Sequence, residues 1–173
     1  QRGQRRLDVD SCSLYVLLLR VPRGKAVAER NGVEPQMFAY ALFDTAIGRC
    51  ALAWGPRGII GVQLPERSPE ATRIRLMRLC PNAEELEPPK QIARAIEDIS
   101  ALLRGEKKSL RAVQLDLSRV PAFNARVYET TRAIAPGATR TYGEIARAIG
   151  QPDGARAVGQ ALGHNPFAIV VPC

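Results

Sequence analysis

The sequence predicts an α+β protein, on three observations. Residues 38–64 are short apolar runs cut by glycine and proline, the texture of an antiparallel meander. Residues 92–103 repeat apolar side chains three and four apart, the period of a helix. Residues 141–162 read as a capped helix, a turn and a helix of small residues, which together resemble a helix-turn-helix.

Taken in order, the alternating run Phe38 to Thr45 meets a turn at Ala46-Ile47-Gly48. Arg49 to Trp54 follows, then Gly55-Pro56-Arg57-Gly58, then Ile59 to Leu64, so three strands are expected. Residues 68–79 set Ile74, Leu76, Met77 and Leu79 among arginines and suit a helix. A second helix follows Pro88-Pro89, with Ile92, Ala95, Ile96, Ile99, Leu102 and Leu103 on one face and Gly105 as its stop. Residues 112–117 alternate again and predict a fourth strand. Strands flanked by helices make a small α+β domain of about 80 residues.

From Pro121 the texture changes. Phe123, Val127, Thr131 and Ile134 share one helix face, and Pro136-Gly137 ends it. Thr141 and Glu144 are spaced as a capping box. The helix they open carries Ile145, Ala148 and Ile149 and stops at Gly150. After Gln151-Pro152-Asp153, a last helix runs from Gly154 to Leu162, with Gly163 as its stop. It is smooth, with Ala155, Ala157, Gly159 and Ala161. Such a helix can approach a foreign surface closely, and it can equally pack close to another helix.

Composition narrows the function. The 173 residues are 46% hydrophobic and 24% charged, which excludes disordered and collagen-like chains. A single histidine excludes multi-histidine metal centres. The net charge of +8 is uneven: residues 1–30 carry +4, residues 31–118 carry +1 and residues 119–173 carry +3. A basic final third points to a polyanionic partner. Cysteines at 12, 50, 80 and 173 form no CxxC pair or disulfide framework, which fits a reducing cytoplasm. No segment reaches the roughly 18 apolar residues of a membrane span. The run at 14–19 behind Arg2, Arg5 and Arg6 imitates a signal peptide, but Arg20 closes it and Asp8 and Asp10 interrupt its basic region. The chain begins at Gln1, its first methionine is Met37, and it ends at Cys173 behind an apolar run, so it reads as a fragment at both ends.

One constellation is more specific. Thr139-Arg-Thr-Tyr-Gly-Glu-Ile-Ala146, Gly154-Ala-Arg-Ala-Val-Gly159, Asn165-Pro166 and Ile169-Val-Val-Pro-Cys173 follow one another, preceded by Val120-Pro-Ala-Phe123 and Val127-Tyr128. In order and spacing this resembles the O6-alkylguanine-DNA alkyltransferase family, over residues 37–173. The resemblance implies a ribonuclease H-like sheet-and-helix domain at 37–118. It implies a mostly helical, winged helix-turn-helix-like DNA-binding and alkyl-acceptor domain at 119–173, incomplete at its end. Residues 1–36 are then a basic tail or an upstream remnant.

The activity it implies is direct-reversal repair. An alkyl group passes from O6-alkylguanine, or O4-alkylthymine, in double-stranded DNA to Cys173, once per molecule, after the base is flipped through the minor groove. Tyr142 matches the tyrosine that helps rotate the nucleotide, and Arg156 the arginine that fills the space it leaves. Asn165 matches the asparagine between recognition helix and cysteine strand. Gly154, Ala155, Ala157, Val158 and Gly159 belong to the recognition helix. The chemistry fits these residue types. A thiolate is the softest nucleophile a protein owns, a stacked base must be extruded to be reached, and a planar guanidinium can stack in the gap. No cofactor, metal or membrane is expected, and the protein is expected to be a cytoplasmic monomer. Cys12, Cys50 and Cys80 are expected to be unreactive.

The sequence departs from the family at one place. The family motif continues from Pro-Cys into His-Arg, and that histidine activates the thiol. The only histidine here, His164, lies nine residues before Cys173 and reads as a surface residue. Beside a terminal carboxylate the Cys173 thiolate would be disfavoured, so this polypeptide as given is expected to transfer poorly. The alternatives are a non-catalytic module that binds alkylated DNA, against which Cys173 itself argues, and a regulatory DNA-binding module.

Overall fold

The computed structural model describes residues 37–172; the expected tail at 1–36, with Cys12, and the expected acceptor Cys173 lie outside the described residues. An α+β arrangement is observed. Strands β1 (Ala39–Thr45), β2 (Gly48–Gly55) and β3 (Gly58–Gln63) form the expected antiparallel meander. A two-residue strand, β4 (Glu84–Glu85), adds parallel to β1, giving the order β3-β2-β1-β4. Helices α1 (Pro69–Met77) and α2 (Lys90–Leu103) accompany the sheet, and α3 (Ala122–Arg132), α4 (Tyr142–Ala148) and α5 (Ala155–Gly163) follow.

Side-chain alternation gives the sheet two buried faces. One carries Ala39, Ala41, Phe43, Cys50, Leu52 and Trp54 toward α2, whose Ile92, Ala95 and Ile99 join the same cluster. The other carries Tyr40, Ala51 and Ala53 toward Leu76 and Cys80 at the end of α1. Ile59 and Val62, three apart, nevertheless share the first face. A register shift opposite Ala53 and Trp54 inserts Ile60 between them, and the extra residue reverses the alternation.

The start of α1 and the end of α2 obey the signals read from the sequence, whereas α3 ends at Arg132, ahead of the stop expected at Pro136-Gly137, and leaves Ile134 beyond it. Ser68 caps α1 by accepting from the Ala71 amide at 3.1 Å, with Pro69 in the first turn. Gly105 ends α2 with φ of 88°. The Glu106 amide reaches the Ala101 carbonyl and the Gly105 amide that of Leu102, the paired bonds of a Schellman stop.

The strand expected at 112–117 does not form. Only Leu115 bridges, in parallel, to Ile59. The carbonyls upstream are already taken, because the Arg132 guanidinium donates to those of Leu110 (3.0 Å), Arg111 (3.0 Å) and Val113 (2.6 Å). Downstream, buried Asp116 accepts from the Ser118 amide and hydroxyl and turns the chain away. The apolar run at 168–171 also forms turns rather than a strand. One contiguous apolar cluster extends from β1 through Val127, Tyr128, Ile145 and Val158 to Val171. No helix among the described residues is long and apolar enough to cross a membrane.

Candidate functional site

The α4–turn–α5 unit is defined at every joint. Thr141 and Glu144 form the expected capping box: Thr141 Oγ1 accepts from the Glu144 amide at 3.2 Å and the Glu144 carboxylate accepts from the Thr141 amide at 2.6 Å. The Thr141 amide and the Thr141 hydroxyl, which donates to the same carboxylate at 2.8 Å, then the nearby Arg140 and Arg147, hold the Glu144 carboxyl below the usual range. Gly150, with φ of 72°, ends α4; its amide reaches the Arg147 carbonyl and that of Gln151 the Ala146 carbonyl. Gly154 caps α5. A Cβ there would stand 3.0 Å from the Gln151 carbonyl oxygen, so a side chain would press the turn open by a few tenths of an ångström.

Tyr142, 45% exposed, lies against α5 at Gly159. A Cβ on Gly159 would meet the ring carbons Cδ2 and Cε2 at 3.1 Å. Arg156 and Ala157 are exposed, Ala155 and Gly159 half-buried, and Val158 is fully buried with Ala161 and Leu162 on the inner side of α5. The helix thus has two sides, one set in the core and one presenting Arg156 and small residues to solvent. Gly163, expected to stop the helix, is its last residue, and His164 is the cap. His164 is exposed, as expected, with Nδ1 2.7 Å from the Gln160 carbonyl.

Beyond α5 the chain is tied down residue by residue. Asn165 uses both ends of its amide: Oδ1 accepts from the Phe167 amide at 2.9 Å and Nδ2 donates to the Val171 carbonyl at 3.0 Å. The Val171 amide donates to the Phe167 carbonyl, and the Val62 amide in β3 to the Pro166 carbonyl at 2.8 Å. Phe167 is fully buried and meets Tyr128 edge to face, centroids 6.0 Å apart, while Tyr128 Oη donates to the Ala161 carbonyl at 2.9 Å. The sheet, α3, α5 and this loop therefore meet at Phe167. Asn165, two residues past α5, fixes the backbone two residues before Cys173.

The other described thiols differ in kind. Cys50 and Cys80 are buried at 0% and 1% exposure, and burial pushes both pKa values up. A bond from Thr45 acts against this for Cys50 and the Arg119 charge for Cys80, without reversing it. Among the described residues no group of three or more His, Cys, Asp or Glu could hold a metal ion.

Comparison with known proteins agrees with this geometry. Residues 122–173 match the profile described as 6-O-methylguanine DNA methyltransferase, DNA binding domain. The chain is 38% identical over 137 residues to the methylated-DNA–protein-cysteine methyltransferase of Mycolicibacterium paratuberculosis, covering 79% of this chain and 76% of that relative. It belongs to the methylated-DNA–protein-cysteine methyltransferase family. The bifunctional transcriptional activator/DNA repair enzyme Ada of Escherichia coli is 34% identical over 145 residues, which are 40% of its length. Among solved structures, Mycobacterium tuberculosis O6-methylguanine methyltransferase superposes with a TM-score of 0.62 at 36% identity, covering 79% of this chain and 76% of that one. The same organism's OGT in complex with DNA gives 0.59 at 35% identity, with 78% and 75% covered.

Within this methyltransferase chain, sequence reading missed three features. The seating of Tyr142 on Gly159 joins residues on two helices, and only the glycine in an otherwise regular helix signalled it. The Arg126 guanidinium reaches the Ile149 carbonyl, tying α3 to the end of α4, with no signal in the spacing. The Tyr128–Phe167 pair joins residues 39 apart in sequence, and the aromatic types alone hinted at it.

Proposed function

We propose that this chain repairs DNA by direct reversal, as a stoichiometric methylated-DNA–protein-cysteine methyltransferase with Cys173 as the acceptor. The observation that carries this reading is the loop 165–171. Its backbone is held at four points as far as Val171, two residues before Cys173 in sequence, and it follows a helix that presents Arg156 and receives the Tyr142 ring at Gly159.

The substrate is O6-alkylguanine, or O4-alkylthymine, in double-stranded DNA. Gly154, Ala155, Ala157 and Gly159 keep α5 slim enough for the minor groove, and Val158 anchors it from behind. Tyr142 assists rotation of the nucleotide and Arg156 occupies the vacated stack, which offsets part of the few kcal/mol that flipping costs. The Cys173 sulfur, as thiolate, then attacks the alkyl carbon. A C–S bond forms as the C–O bond breaks, the base oxygen takes the electron pair, and the base recovers its ring proton from water. The thiol proton leaves to solvent beforehand. No cofactor enters, because the transferred group arrives on the DNA.

In this reading residues 37–118 form a ribonuclease H-like domain and residues 119–173 a winged helix-turn-helix-like one, in a cytoplasmic monomer. Incubating a protein that carries this sequence with duplex DNA containing one O6-methylguanine should add one methyl to the Cys173 peptide, and Cys173→Ser should abolish transfer while leaving DNA binding. Binding should weaken steeply with salt, as phosphate contacts require. Retention of the lesion DNA with no methyl on the protein would favour a binding module instead.

A further inference from the structure

Ile169 has a φ of 72°, the only positive value on a non-glycine residue among the described ones. The Val170 amide donates back to the Ala168 carbonyl at 2.9 Å, so Ile169 is the centre of a three-residue γ-turn. With positive φ this turn is rare and strained, and for a β-branched residue the conformation is an outlier. Glycine would adopt it freely, so backbone stability alone does not explain an isoleucine here.

The surroundings do. Phe167, Val170 and Val171 are all buried, whereas an extended chain would send Val170 and Val171 to opposite sides. The left-handed step at Ile169 lets both turn inward. The frame on either side is fixed, by Asn165 on Phe167 and Val171 and by Val62 on Pro166. The Ile169 side chain packs on the main apolar cluster and lines a cleft of about 440 Å³ with Leu102, Leu110, Ile134, Val170 and Pro172. A β-branched side chain is stiff about χ1. Set in that cleft it clamps the turn, where glycine would leave the backbone free to sample both signs of φ.

We propose that Ile169 is a positioning residue for alkyl transfer: its clamped γ-turn sets the direction in which the chain leaves Val171 toward the acceptor. The inference rests on reading Cys173 as that acceptor. The full chain and its variants are mixed with O6-methylguanine duplex, and the single-turnover rate at saturating DNA is measured beside the Kd and the pH profile of the rate. Ile169→Gly should slow transfer about tenfold or more, as misplacement of a reacting group does, with Kd within about twofold and the pH profile unmoved. Ile169→Val, which keeps the stiff clamp, should restore most of the rate. Should Ile169→Gly fail to melt cooperatively, Ile169→Ala takes its place with the same expected split. A variant rate matching the parent's, or a loss confined to DNA affinity, overturns this inference alone. A parent chain that binds the lesion and transfers nothing overturns the Cys173 reading and the inference with it.

Discussion

Asn165 cannot be replaced by its acid. The Phe167 amide would still find an acceptor, but the Val171 carbonyl would lose its donor and face a second oxygen. Asn165→Asp should destabilise the protein by about 1–3 kcal/mol, the cost of an unmet polar group, read from the urea midpoint, and should slow transfer as well. Asp116 is the opposite case, a carboxylate that must stay charged. Burial pushes its pKa up, but the Ser118 hydroxyl and amide and then Arg57 outweigh it and leave the carboxyl below the ordinary range. A depressed pKa stabilises the fold above the unfolded value of about 4 and is lost as pH falls below it through the folded value. Asp116→Asn should therefore lower stability at neutral pH and flatten the fall below pH 4, checked by urea melts across pH 3–7.

At the scale of the element, α4 and α5 are positioned by their ends and by one glycine. Gly159→Ala adds a methyl 3.1 Å from the Tyr142 ring, which is partly exposed and can yield. Alanine is favoured over glycine inside a helix by about 1 kcal/mol. The variant should thus melt at or above the parent's temperature while its transfer rate falls several-fold, and equal rates in a single-turnover assay would remove Gly159 from the account. Elements were legible where local chemistry decides them: the capping box, the glycine stops of α2 and α4, the period of α2 and the alternation of the meander. They were illegible where distant partners decide them. Residues 112–117 alternate like a strand, but Arg132 takes the Val113 carbonyl and those of Leu110 and Arg111 just before it. Residues 168–171 are as apolar and β-branched as a strand, and the left-handed Ile169 bends them instead. Of the site, the residue types and order could be read, but not the contacts of Tyr142, Asn165 and Arg126.

On the scale of the whole described molecule, Phe167 joins the sheet to the helices. Its ring meets Tyr128 of α3, and its neighbour Pro166 accepts from Val62 of β3. Phe167→Ala should cost about 3–5 kcal/mol, typical of a buried phenylalanine. The loss should appear in near-UV and far-UV signals together, since both halves share one apolar cluster; separate transitions would show that the halves unfold independently. The burial of Cys50 and Cys80 has a consequence at this scale as well. A stoichiometric acceptor carries the record of its own reaction as added mass. These two thiols are enclosed and burial pushes their pKa values up, so an alkylating agent dissolved around the folded protein should mark neither position. On the proposed reading of Cys173 as acceptor, mass gained there can be read free of signal from these two sites, and the fraction of chains carrying it becomes a dosimeter of lesions removed from DNA.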